Sequence, residues 1–154
     1  MPKLSNKVVY EKGKVSLEDI IKSAKQLDGA EAAAGYDDKV HSSSGLGLAS
    51  LAYLHEMGAP QANIQSRDFM TQAHYENERT VSLDELGELV EQIIYYEADP
   101  DYELNQLADE LALNIPFILN QGNFVVTNNP TPLIETGELR EGVETFVSTG
   151  GKKI

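Results

Sequence analysis

The chain contains no cysteine. That excludes structural disulfides, thiolate metal sites and a cysteine nucleophile. It has no apolar run approaching the roughly 20 residues that span a bilayer, and no signal-peptide pattern opens it. Basic side chains are scarce, 12 lysines and arginines against 25 aspartates and glutamates, for a formal charge of -13. A net-acidic surface repels phosphate, so tight sequence-specific DNA binding is not expected. These absences lead to the expectation of a soluble protein folded in a cytoplasm, with no membrane partner.

The length of 154 residues fits about one domain. A domain of that size buries roughly 70% of its unfolded surface and folds without a disulfide or metal. The acids are concentrated: between Glu76 and Glu110 the only basic residue is Arg79. The ends lean the other way, with Lys3, Lys7, Lys12, Lys14, Lys22 and Lys25 at the start and Lys152 and Lys153 at the finish. The plain reading is a solvated helical face. Sharper ones are head-to-tail charge complementarity between subunits, or an acidic channel wall along which DNA slides.

Residues 1–15 read as an arm or edge strand. Ser16 offers an N-cap, with Glu18 and Asp19 in the first turn and Leu17, Ile20, Ile21, Ala24 and Leu27 at helical spacing. Asp28-Gly29 ends that helix. Glu31–Tyr36 reads as a strand and Asp37–Gly47 as a loop. Leu48–Met57 is apolar on nearly every side, a buried helix or a strand, and Gly58 in the left-handed C′ position favours helix. Ser82 and Glu85 form a capping box ahead of Leu83, Leu86, Leu89, Val90, Ile93 and Ile94. Asp99-Pro100-Asp101 breaks the chain before a second helix on Leu104, Leu107, Leu111, Ile115 and Ile118. Pro116 either kinks that helix or ends it near Asn114. Phe124–Thr127 has strand character, Asn128–Pro132 is a turn, and Gly142–Ser148 reads as a terminal strand. No repeat of 20–50 residues is visible. The expected fold is α+β: a small, mostly antiparallel sheet packed against several helices, with extended terminal arms. It would be a single domain over 1–154, with an arm at 1–15, an acidic helix at 82–99 and a tail at 149–154.

Candidate chemistry is thin. His55-Glu56 begins like the zinc motif HExxH, but Ala59 stands where the second histidine must face the same ion. Asp99, Asp101 and Glu103 are spaced like calcium-loop ligands, yet Leu104 occupies the position that needs glycine. Ser42–Gly47 has the glycines of a phosphate loop and no following lysine. No G-x-S-x-G elbow is present. No catalytic residue, cofactor or metal is expected.

Three strings remain: HEMGA at His55–Ala59, SRDFM at Ser66–Met70 and PLIETGELRE at Pro132–Glu141. With Gly35-Tyr36 ahead of them, they resemble in their order the bacteriophage neck or tail-completion protein family, also described as minor tail or virion morphogenesis proteins. Members of that family show a glycine-aromatic strand end, a helix closing in His-Glu-Phe-Gly, an Arg-Pro-Phe cluster and a Leu-x-x-Thr-Gly-x-Leu-Arg signature. Leu133–Arg140 matches the last closely. The resemblance covers roughly residues 31–75 and 103–148. Met57 stands where the family favours phenylalanine, a volume-conserving change. Asp68 replaces its usual proline and leaves the backbone course of the SRDFM loop open.

The resemblance implies a non-enzymatic virion protein that forms a ring at the head–tail junction of a long-tailed double-stranded DNA phage. It would complete the tail and join it to the head connector, after assembly in the host cytoplasm. Its partners would be itself, the tail terminator, the head-completion or connector proteins, and DNA passing without specific binding. Six-fold symmetry is expected by analogy with tails, while twelve-fold would match a connector. His55 and Glu56 would sit at a helix end, making hydrogen bonds or a subunit contact. Gly58 and Gly137 would permit tight turns. Phe69 and Met70 would plug an apolar pocket while Arg67 pairs with a carboxylate or carbonyl. Thr136 would cap the segment that sends Leu139 into the core and Arg140 outward. Arg67 and Arg140 would add subunit contacts. Alternatives are a tail terminator capping the tube, a small metal-dependent enzyme using Asp99–Glu103, and an acidic DNA-mimic inhibitor.

Overall fold

The computed structural model describes residues 15–121 and 137–150. Among these residues the fold is α+β, with six α-helices and a two-stranded antiparallel sheet. The order is α1 (Leu17–Leu27), β1 (Glu31–Tyr36), α2 (Leu48–Met57), a 3-10 turn at Pro60–Ala62, α3 (Phe69–Thr80), α4 (Leu83–Tyr95), α5 (Pro100–Gln121), the single turn α6 (Glu138–Glu141) and β2 (Val143–Ser148). β1 pairs with β2. The arm except Val15, the Phe124–Thr127 segment, the Asn128–Pro132 turn, Thr136 and the tail beyond Gly150 lie outside the described residues.

Local chemistry sets the starts of α1, α4 and α5. Ser16 accepts from the Asp19 N–H at 3.2 Å, and the Asp19 carboxylate accepts from the Ser16 N–H at 3.2 Å. The Ser16 hydroxyl also donates to that carboxylate at 2.6 Å, and this bond first, with the one from the Ser16 N–H, lowers the Asp19 carboxyl from its ordinary pKa. Ser82 and Glu85 repeat the arrangement at α4, where Glu85 accepts the Ser82 N–H at 2.7 Å. At α5 the Asp99 carboxylate accepts from the Asp101 N–H at 3.2 Å and Pro100 takes the first helical position. The alternating acids of Asp99–Glu103 thus begin a helix rather than a calcium loop.

α5 runs unbroken through Pro116, so it does not stop near Asn114. The proline forfeits a hydrogen bond and crowds the carbonyl of Ala112, which costs about 3 kcal/mol. Ile115, Ile118 and Leu119 around it are all buried, each contributing about 1.5–3 kcal/mol. Burial wins. α2 is a helix, but its apolar character is not matched by burial all round: Leu48, Leu51 and Ala52 face inward while Tyr53 and Met57 are exposed.

By contacts the chain divides into two compact units. Unit 1 takes its described residues from 15–32, 81–108 and 146–150, and unit 2 from 33–80, 109–121 and 137–145. Unit 2 has a continuous apolar core of Leu48, Leu51, Ala52, Phe69, Ala73, Ile115, Ile118, Leu119 and Leu139. Unit 1 buries Val15, Ile93, Leu104 and Ala108, and leaves Leu17, Ile21, Leu83 and Val90 exposed. α1 and α4 pack on each other there.

Candidate functional site

The HEMGA and SRDFM strings form one joint in unit 2. Glu56, in the last turn of α2, reaches the start of α3. Its carboxylate accepts from the Met70 N–H at 2.9 Å, from the Thr71 N–H at 3.1 Å and from the Thr71 hydroxyl at 2.5 Å. An acid far away in sequence therefore caps a helix whose own N-terminus lacks a local cap. The charge-assisted bonds and the positive end of the helix both favour a carboxylate there. Two further bonds lock the joint: the Arg67 N–H donates to the His55 carbonyl at 2.6 Å, and the Ser66 hydroxyl to the Glu56 carbonyl at 2.6 Å.

Gly58 makes that approach possible. Its φ of 75° and ψ of 163° lie outside the left-handed helical region expected of a C′ glycine, in an extended region open to glycine. A Cβ on Gly58 would stand 2.6 Å from the Ser66 backbone nitrogen. The contact is with main chain, which has nowhere to go.

SRDFM is only partly a loop, because Phe69 and Met70 begin α3. Phe69 is wholly buried in the core and Met70 packs against it. Asp68, in place of the family's proline, is buried too: one carboxylate oxygen accepts from the Gln72 amide at 3.2 Å and the other has no partner. The pairing expected of the Arg67 side chain does not form among the described residues, and its Nε is buried without a hydrogen-bond partner. The arginine contributes through its backbone instead.

The described part of the third string enters the same core. Gly137, with φ 78°, starts α6 in the left-handed conformation, and Leu139 behind it is buried. The Tyr36 hydroxyl donates to the Leu139 carbonyl at 2.7 Å, and its ring meets Phe69 edge-on at 6.3 Å. Burial pushes the Tyr36 phenol well above its ordinary pKa. Arg140 is half-exposed, reaching Asn120 at 3.4 Å and Glu141 at 3.2 Å. Thr136, the expected cap, lies outside the described residues.

The loop before α2 is tied down rather than open to a phosphate. His41 and Ser44 bond each other, the Gly45 N–H donates to the His41 carbonyl at 3.0 Å, and Ser42 bonds Glu138 of α6. Lys39 pairs with Glu144 of β2, which holds its ammonium pKa above the ordinary value. Sequence reasoning missed α3 and its second tether, in which Asn77 donates to the Leu111 carbonyl at 3.2 Å and accepts from Asn114 at 2.8 Å. The signal was faint: two asparagines on helices that meet only after folding.

Among the described residues no group of three or more histidine, aspartate or glutamate side chains is placed to hold a metal ion, and no helix is long and apolar enough to cross a membrane. Among the described residues of the strings, Glu56, Phe69, Met70 and Leu139 are engaged in capping and packing. No protein-family model, curated protein or solved structure matches the chain.

Proposed function

We propose that the chain is a structural neck protein of a long-tailed double-stranded DNA phage. It assembles into a ring at the head–tail junction, completes the tail and joins its terminator end to the head connector. The observation that carries this reading is the order of the strings, supported by their convergence on one core. Glu56 caps the helix that Phe69 opens, and Phe69 shares its core with Leu139. Residues that serve the frame of a domain, with tyrosine, leucine and phenylalanine left on its surface, suit a protein that works by being assembled. The acidic surface lets DNA pass without adhering.

Gold-labelled antibody against the chain tests the reading on intact virions. Labelling at the head–tail junction is expected. Labelling at the tail tip, over the capsid or on no particle at all would overturn it.

A further inference from the structure

We propose that α1 of one copy docks antiparallel on α4 of the next copy, which makes this the repeating contact of the assembly. Both helices belong to unit 1, both start from a serine capping box, and they touch within a copy. What that contact leaves exposed is matched between them. At 100° per residue, Leu17, Ile21 and Ala24 form one stripe on α1, with Lys22 and Lys25 on one flank. Leu83, Gly87 and Val90 form the equivalent stripe on α4, with Asp84 and Glu88 on the same flank. Leu83 is 86% exposed and Ile21 48% exposed, far from the burial that apolar stripes of amphipathic helices usually find. Lys22, Lys25, Asp84 and Glu88 are exposed and form no hydrogen bond or salt bridge among the described residues.

Antiparallel packing brings like flanks of two helices together. In the register that faces Ile21 to Gly87, Leu17 falls opposite Val90 and Ala24 opposite Leu83. The same register sets Lys25 against Asp84 and Lys22 against Glu88. It also brings Glu18 to Glu91, a like-charge pair, but the α1 flank stays net positive against a wholly acidic α4 flank. Gly87 is a mid-helix glycine whose Cβ would meet nothing within 4 Å in its own copy. It costs roughly 1 kcal/mol of helix propensity relative to alanine and has no internal packing reason. A facing isoleucine supplies one, large against small.

The occupant is a second copy because both halves of the match, apolar and charged, lie on this chain. Each copy presents one α1 face and one α4 face, so the contact is head-to-tail and repeats. That the repeat closes rests on the ring reading above; the contact itself does not.

The test uses the full chain in analytical ultracentrifugation and negative-stain images, with circular dichroism as the check on folding. K22E/K25E and D84K/E88K should each weaken self-association by on the order of tenfold or more, and the quadruple variant should regain most of it. Added salt should weaken the wild type in step, which supplies the answer even where a variant fails to fold. A wild type that stays monomeric, doubles without effect, or a quadruple no better than its parents would overturn the contact. Closed rings that ignore both doubles would sink this interface and keep the ring. Open filaments that respond to the charge swap would do the reverse.

Discussion

At the scale of single residues, the joint between α2 and α3 depends on side chains that resemble catalytic ones and act as fasteners. Glu56→Ala leaves the Met70 and Thr71 N–H groups short of an acceptor in a half-buried place. It should cost about 1–2 kcal/mol, read as a lower urea midpoint with an unchanged slope. Glu56→Gln, which keeps an acceptor and loses the charge, should fall between the two. Gly58→Ala is more severe, because its strained backbone and its 2.6 Å approach to Ser66 add together. A loss above about 3 kcal/mol is expected, with α2 and α3 exchanging amide hydrogens together. Tyr36→Phe removes only one hydrogen bond and should cost about 1 kcal/mol in the same denaturation assay.

The helices differ in how clearly their sequences announce them. α1 and α4 carry their caps and their stripes within a few residues, so Ser16, Ser82 and Glu85 were readable as starts. α3 was hidden because its cap comes from Glu56 and its buried face is only Phe69 and Ala73. The Asn128–Pro132 turn and the strand before it fall outside the described residues. For α5 the rule that proline ends a helix met the burial of Ile115, Ile118 and Leu119, and burial decided. The joint itself was illegible, since proximity of His55–Gly58 to Ser66–Thr71 is a product of folding. The depressed Asp19 carboxyl makes the α1 cap pH-sensitive. Its contribution is complete above the ordinary carboxylate value of about 3.9 and is lost as pH falls through the lowered folded value. Carboxyl NMR titration should find Asp19 low in the wild type and shifted up toward the ordinary value in Ser16→Ala, which loses the hydroxyl but keeps the backbone N–H bond.

At the scale of the whole molecule, the charges divide by sign along the chain and the apolar surface collects on helices. In the proposed assembly both features serve contacts between copies and neighbours. Arg140, half-exposed beside Asn120 and Glu141, belongs to that outward layer; Arg67, with its buried Nε, belongs to the frame. Arg140→Glu should therefore prevent ring assembly in negative-stain images while the circular dichroism spectrum stays that of the wild type. Arg67→Glu should lower the melting temperature as well. The most direct measurement is electron microscopy of particles produced after the coding sequence of this chain is deleted from the phage genome that the proposed function assigns it to. DNA-filled heads and finished tails lying apart, rejoined when the wild-type chain is supplied, are the expected result. Complete, joined and infectious virions made without it would overturn the assignment to the head–tail junction.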